Sequence, residues 1–114
     1  MRIYISTPIN GRAEKTFAEK YEGAKKRVSE IIGQLKSKFP DAEFVSFADV
    51  APLGECTEAQ AMGKCVQAVM ESDICVLDNV NIKAFRKSNG CYLETIAAHI
   101  YCPEEFLYLS DIKK

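Results

Sequence analysis

This chain has little histidine and almost no surplus of charge of either sign. It holds a single histidine, His99. Its five cysteines stand at 56, 65, 75, 91 and 102, an odd number, widely spread, with no C-x-x-C pair. Such a set gives no ligand spacing for zinc, so no metal is expected. Reduced, mostly buried thiols in a cytoplasmic protein are the plainer reading. Lysine and arginine number 15 against 16 acidic residues, a net charge of −1. That balance offers no electrostatic reason to expect a nucleic acid polymer or an anionic membrane as partner. A small anion is not excluded, because it needs only a local pocket. No stretch approaches the ~18 apolar residues of a membrane-crossing helix. The opening MRIYISTP is too short in apolar residues for a secretory leader and fits a strand better. Neither a Walker loop nor a G-x-G-x-x-G fingerprint is present, so neither ATP nor NAD is indicated, and no cofactor is expected. Internal repeats, linkers and low-complexity tracts are also missing.

What is present suits one domain spanning 1–114, with 47% apolar residues for a single packed core. Arg2 to Ser6 is rich in β-formers and is cut off by Thr7-Pro8 and Asn10-Gly11, which predicts a strand ending in a loop. From Glu14 to Lys38 the period changes. Phe17, Tyr21, Ala24, Val28, Ile31, Ile32 and Leu35 recur every three or four residues, the mark of a long amphipathic helix. Glu43 to Phe47 reads as a second strand and Ala48 to Cys56 as a loop. Thr57, with Gln60 three residues on, predicts a capped helix to about Glu71, with Met62, Val66, Val69 and Met70 facing inward. Asp73 to Asp78 is nearly continuous in apolar residues, as in a strand covered on both faces. Asn79 to Asn89 reads as a polar loop, and a third helix follows to about Tyr101, with Leu93, Ile96, Ala97 and Ile100 on one stripe. Phe106 to Leu109 is the last strand.

The expected order is therefore βαβαβαβ, an α/β fold with a small parallel sheet joined by right-handed crossovers. Open sheets of this kind bind ligands beyond the carboxyl ends of their strands. Three segments share that rim: Thr7 to Arg12, Phe47 to Gly54, and Asp78 to Gly90.

Glu94 lies about one turn into the third helix, where the macrodipole favours a negative charge. An ionised carboxylate there could attack a sugar carbon; equally, it could only stabilise the helix start or sit in solvent. Tyr4, inside the first strand, could orient that carboxylate or simply pack. The segment Thr7-Pro8-Ile9-Asn10-Gly11-Arg12 could hold an anion through its amides and the Arg12 fork, or be an ordinary βα loop. Ser88 could cap the third helix or donate to a phosphate, beside Asn89 and Gly90. Asp49 and Asp78, at the ends of the second and third strands, could orient a base, a hydroxyl or a proton, or merely terminate a strand.

Taken together, Tyr4-Ile5-Ser6-Thr7-Pro8-Ile9-Asn10-Gly11-Arg12 and Ser88-Asn89-Gly90-Cys91-Tyr92-Leu93-Glu94 resemble two blocks of the nucleoside 2-deoxyribosyltransferase superfamily. The first is similar to its Y-I-S-G-P-I-x-G opening, the second to its glycine-then-glutamate block. The resemblance covers most of the chain. It implies a three-layer flavodoxin-like fold assembled as dimers or larger oligomers. It also implies a mechanism in which Glu94 attacks C1′ of the sugar and displaces the base while Tyr4 orients the carboxylate; help to the leaving base would come from a rim aspartate, Asp78 or Asp49, or from water. Thr7, Ile9, Asn10, Gly11, Arg12, Asp49, Ser88 and Gly90 would contact the substrate. Transferases of the family commonly carry an acidic residue where Ser88 stands, and relatives that hydrolyse nucleoside 5′-monophosphates carry serine. The expected reaction is N-glycosidic cleavage of a nucleoside 5′-monophosphate, by hydrolysis or sugar transfer. The rival expectation is a non-catalytic nucleotide-binding protein, because Cys65 stands where the family usually has an aspartate eight residues before Asp73. Thr7-Pro8 likewise replaces the commoner Gly-Pro or Gly-Ser.

Overall fold

A computed structural model describes residues 1–9, 12–101 and 106–109. In chain order these form β1 (Arg2–Ser6), α1 (Phe17–Leu35), β2 (Glu43–Val45), α2 (Phe47–Val50), α3 (Glu58–Met70), β3 (Ile74–Leu77), α4 (Ile82–Lys87), α5 (Asn89–Tyr101) and β4 (Phe106–Tyr108). The strands pair in the order β2-β1-β3-β4, every pairing parallel. Among the described residues no helix is long and apolar enough to cross a membrane.

Two-residue alternation in β1 sorts its side chains between two faces. Ile3 and Ile5 join a cluster with Tyr21, Ala24, Val28, Ile31 and Leu35 of α1. Tyr4 joins the opposite cluster, with Ala68 and Val69 of α3 and Ala97 and Ala98 of α5. Helices thus cover both faces, and β3, lying between β1 and β4, is buried along its whole length.

The long helix starts three residues later than the periodicity alone predicts. Thr16 is its N-cap and accepts from the Glu19 amide, so Glu14 and Lys15 stay outside. Thr57 and Gln60 form the expected capping box at the head of α3. Two stretches expected as loops contain short helices. Ser46 and Asp49 close a capping box on α2, which also stops β2 at Val45 rather than Phe47. Asn81 caps α4 by accepting from the Ala84 amide. The connection on each side of β3 therefore holds two helices, not one. In both places a side-chain oxygen satisfies backbone donors that hydrophobic periodicity says nothing about.

The orientation of α5 corrects the sequence reading. Its buried face carries Cys91, Glu94, Ala97 and Ala98, while Ile96 and Ile100 point outward with Tyr92 and Leu93 is partly exposed beside the buried face. Met70 of α3 is likewise exposed, and only Val69 of its expected quartet is fully buried. The small side chains face the sheet because they let the helix approach it closely. Replacing Thr57 with alanine removes the side-chain half of its capping box. Thermal unfolding should then show a loss of about 1 kcal/mol, or roughly 4 °C in Tm, with the fold intact.

Candidate active site

The site is built where β1 ends beside β3. Ser6 is in register with Leu77, and the Asp78 amide continues the ladder by donating to the Ser6 carbonyl at 2.7 Å. Tyr4 and Ser6 are two residues apart on one strand, so both side chains turn to the same face. That face receives α5. Its start is fixed by Ser88, whose hydroxyl accepts from the Cys91 amide at 3.1 Å and whose carbonyl accepts from Tyr92 at 3.1 Å. Cys91, Glu94, Ala97 and Ala98 then recur at helical spacing toward the sheet.

The Glu94 carboxylate meets β1 there. The Tyr4 hydroxyl donates to Oε1 at 2.8 Å, and the Ser6 hydroxyl donates to Oε2 at 2.6 Å. Ser6 Oγ also lies 3.6 Å from the Cys91 sulfur, but its one proton is committed to the carboxylate. Glu94 is only 6% exposed. Burial dominates its titration and raises its pKa from 4.5 to about 7, against the opposing effect of the Ser6 and Tyr4 hydrogen bonds. The expectation that a helix start keeps this group ionised is thus outweighed by loss of water. The same burial pushes the Tyr4 hydroxyl well above its ordinary range and the Cys65 and Cys91 thiols up to about 12. All three therefore stay protonated near neutrality.

Beside Glu94 opens a cavity of about 320 Å³. Thr7, Ile9, Cys65, Ser88 and Leu93 line it with Glu94, and Phe17, Tyr21, Phe47, Pro52 and Met62 form much of its apolar wall. Tyr21 and Phe47 meet edge to face at 5.0 Å. A cavity of this size and character suits a small, flat, largely apolar ligand with a few polar anchors. Cys65 occupies the wall next to Tyr4 and Glu94, in the place where the resemblance led us to expect an aspartate.

Other candidates lie elsewhere. Asp49 is taken up by its capping box, accepting from the Ser46 amide at 2.8 Å, and it does not line the cavity. Asp78 faces a neighbouring crevice lined also by Thr7, Arg12, Glu14 and Arg27. Its carboxylate accepts from Thr7 Oγ1 at 2.6 Å and from Arg27 Nε at 3.1 Å and Nη2 at 3.3 Å. Neither aspartate therefore lines the cavity beside Glu94, where either had been expected to help the leaving base if water did not. Arg12 also faces the crevice and is bound to Glu14, the closest contact being 2.9 Å. That partner holds the Glu14 carboxyl below its usual range. The Gly90 backbone lies in the first turn of α5, and Asn10 and Gly11 fall outside the described residues.

Two contributors went unnoticed in the sequence. Ser6 was detectable, since strand alternation puts it beside Tyr4. Arg27 was not, because it follows Lys25 and Lys26 on an otherwise charged helix surface. Among the described residues no cluster of histidine, cysteine and carboxylate groups could hold a metal ion. Compared with known proteins, the chain matches no family model, no curated protein and no solved structure.

The Glu94 geometry fixes a pH dependence of stability. Between 4.5 and about 7 the folded chain keeps a proton that the unfolded chain has released. Raising the pH through that window therefore favours unfolding. Glu94→Gln keeps the shape and has no proton to lose. Urea unfolding at pH 5 and pH 8 should show wild type losing on the order of 2 kcal/mol more than this variant across the interval.

Proposed function

We propose that this chain cleaves the N-glycosidic bond of a nucleoside 5′-monophosphate, by hydrolysis or by transfer of the sugar, with Glu94 as nucleophile. The observation that carries the proposal is the buried Glu94 carboxylate, held by Tyr4 and Ser6 at the wall of a nucleoside-sized cavity. A carboxylate oxygen would form a bond to C1′ as the bond from C1′ to the base nitrogen breaks. The bonding electrons leave with the base. Water, or a second base, would then take the sugar from Glu94. With Asp49 and Asp78 turned elsewhere, the proton for the departing base would come from water. Thr7, Ile9 and Ser88 line the cavity as expected of substrate contacts. Serine rather than a carboxylate at the start of α5 favours a phosphate there, since a hydroxyl does not repel a dianion.

The wider reading is a flavodoxin-like protein of the cytoplasm that self-associates. The parallel order β2-β1-β3-β4 with helices on both faces supports the first part. Free thiols at Cys56, Cys65 and Cys91 fit a reducing compartment. The outward face of α5 supports association, for Tyr92 is 67% and Ile100 61% exposed.

One observation favours a second reading, a nucleotide-binding protein without turnover. Cys65 stands at the cavity in place of an aspartate, and its thiol is a poor proton donor with a pKa near 12.

A product assay decides between them. Deoxyribo- and ribonucleosides and their 5′-monophosphates are incubated with the protein, with and without an acceptor base, beside Glu94→Gln. Free base from monophosphates is expected, rising with pH through about 7 as Glu94 ionises, and lost in the variant. Base exchange only with an acceptor would make the reaction a transfer. No base release, with monophosphates still raising Tm, would establish the binding protein instead.

A further inference from the structure

The crevice beside the ligand cavity holds a chain of contacts that ends on Glu94. Asp78 grips the end of β1 twice. Its amide donates to the Ser6 carbonyl at 2.7 Å, and its carboxylate accepts from the Thr7 hydroxyl at 2.6 Å. Arg27, reaching from α1, fixes that carboxylate with a fork at 3.1 and 3.3 Å. The carboxylate of Asp78 is 5% exposed and the Arg27 side chain 20%. A charge-assisted fork in so dry a place is directional, and Arg supplies a planar donor set that Lys does not. The peptide held at both ends is the one between Ser6 and Thr7. Ser6 carries the 2.6 Å donor to Glu94, and Thr7 lines the cavity.

We propose that Arg27, acting through Asp78, is a positioning residue that holds Ser6 against the Glu94 carboxylate and Thr7 at the cavity wall. The proposal rests on the glycosidase reading only for its catalytic consequence; the positioning itself is a property of the fold. Arg27 touches neither the cavity nor Glu94, and its charge is paired with Asp78, so it acts through that contact. The groups that face Glu94 directly are Tyr4 and Ser6 from β1, with the thiols of Cys65 on α3 and Cys91 on α5 nearby. Ser6 is the one among them whose backbone is gripped by Asp78. Loosening Arg27 therefore selectively weakens a donor to the ionised form of Glu94, and a weaker donor raises its titration midpoint.

The test titrates the side-chain carboxyl carbon of Glu94 by NMR in carbon-13 glutamate-labelled protein, its resonance assigned by its loss in Glu94→Gln. Arg27→Met should raise the midpoint by roughly one pH unit, and Arg27→Lys should restore part of it. Base release should shift its acid limb in step. Arg27→Met leaves Asp78 buried and unpaired, which can unfold a domain. If it does, Arg27→Met combined with Asp78→Asn removes the unpaired charge and carries the same measurement. A wild-type midpoint in a folded variant overturns the proposal, whatever happens to turnover. A raised midpoint in the variant, with no base released by the wild-type protein, leaves the positioning standing and removes the glycosidase reading.

Discussion

Withdrawing a carboxylate from water dictates much of how this molecule packs. An ionised carboxyl in an apolar interior is expensive unless donors replace its hydration. Here two hydroxyls from alternate positions of one strand do so, and both must be reached from a helix. The helix can come close enough only if the residues flanking Glu94 on that face are small, as Cys91, Ala97 and Ala98 are. The large apolar residues of α5 are thereby turned outward. One local requirement, donors for a buried charge, thus decides the helix distance, the composition of its inner face and the character of its outer one. The donors offset burial only in part, which leaves the carboxyl poised near neutrality.

Charges around the site are divided between two adjoining spaces. In the crevice each guanidinium meets a carboxylate, Arg12 with Glu14 and Arg27 with Asp78. In the cavity, among the described residues, the lining carries the carboxylates Glu58 and Glu94 and no lysine or arginine. The guanidinium–carboxylate pairs therefore lie in the crevice, while the cavity presents hydroxyls, thiols, two carboxylates and apolar surface. This separation keeps the Glu94 carboxylate free of a cation that would lower its basicity.

Strand alternation and helix periodicity made most of the architecture legible. β1 was bounded correctly at Arg2 and Ser6, and Thr57 with Gln60 marked a helix start that the structure keeps. Thr7, Ile9, Ser88 and Glu94 line one cavity, and Tyr4 reaches Glu94 through a hydrogen bond from the strand. The misreadings share a cause. Periodicity reports that a face is apolar without saying which way it points, so Leu93, Ile96 and Ile100 were put on one stripe with Ala97, which alone of the four is buried. Asp49 and Asp78 were read as functional because they end strands at the ligand rim, but local geometry claims both. A capping box takes the first and an arginine fifty-one residues away takes the second. That long-range partner has no local signature, since any basic residue on α1 would look the same in sequence.

The division of β1 between two faces carries a consequence for how such a chain can change over time. Ile3 and Ile5 serve the packing against α1, while Tyr4 and Ser6 serve the carboxylate, in strict alternation along five residues. Deleting or inserting a single codon within this strand would exchange the two sets, sending the hydroxyls into the α1 interface and isoleucines toward Glu94. Substitutions can therefore be sampled one face at a time, whereas length changes here forfeit the interior and the donors to Glu94 in one event. Divergence in this segment should consequently proceed through replacement of side chains at constant length, with insertions and deletions confined to the connections between elements.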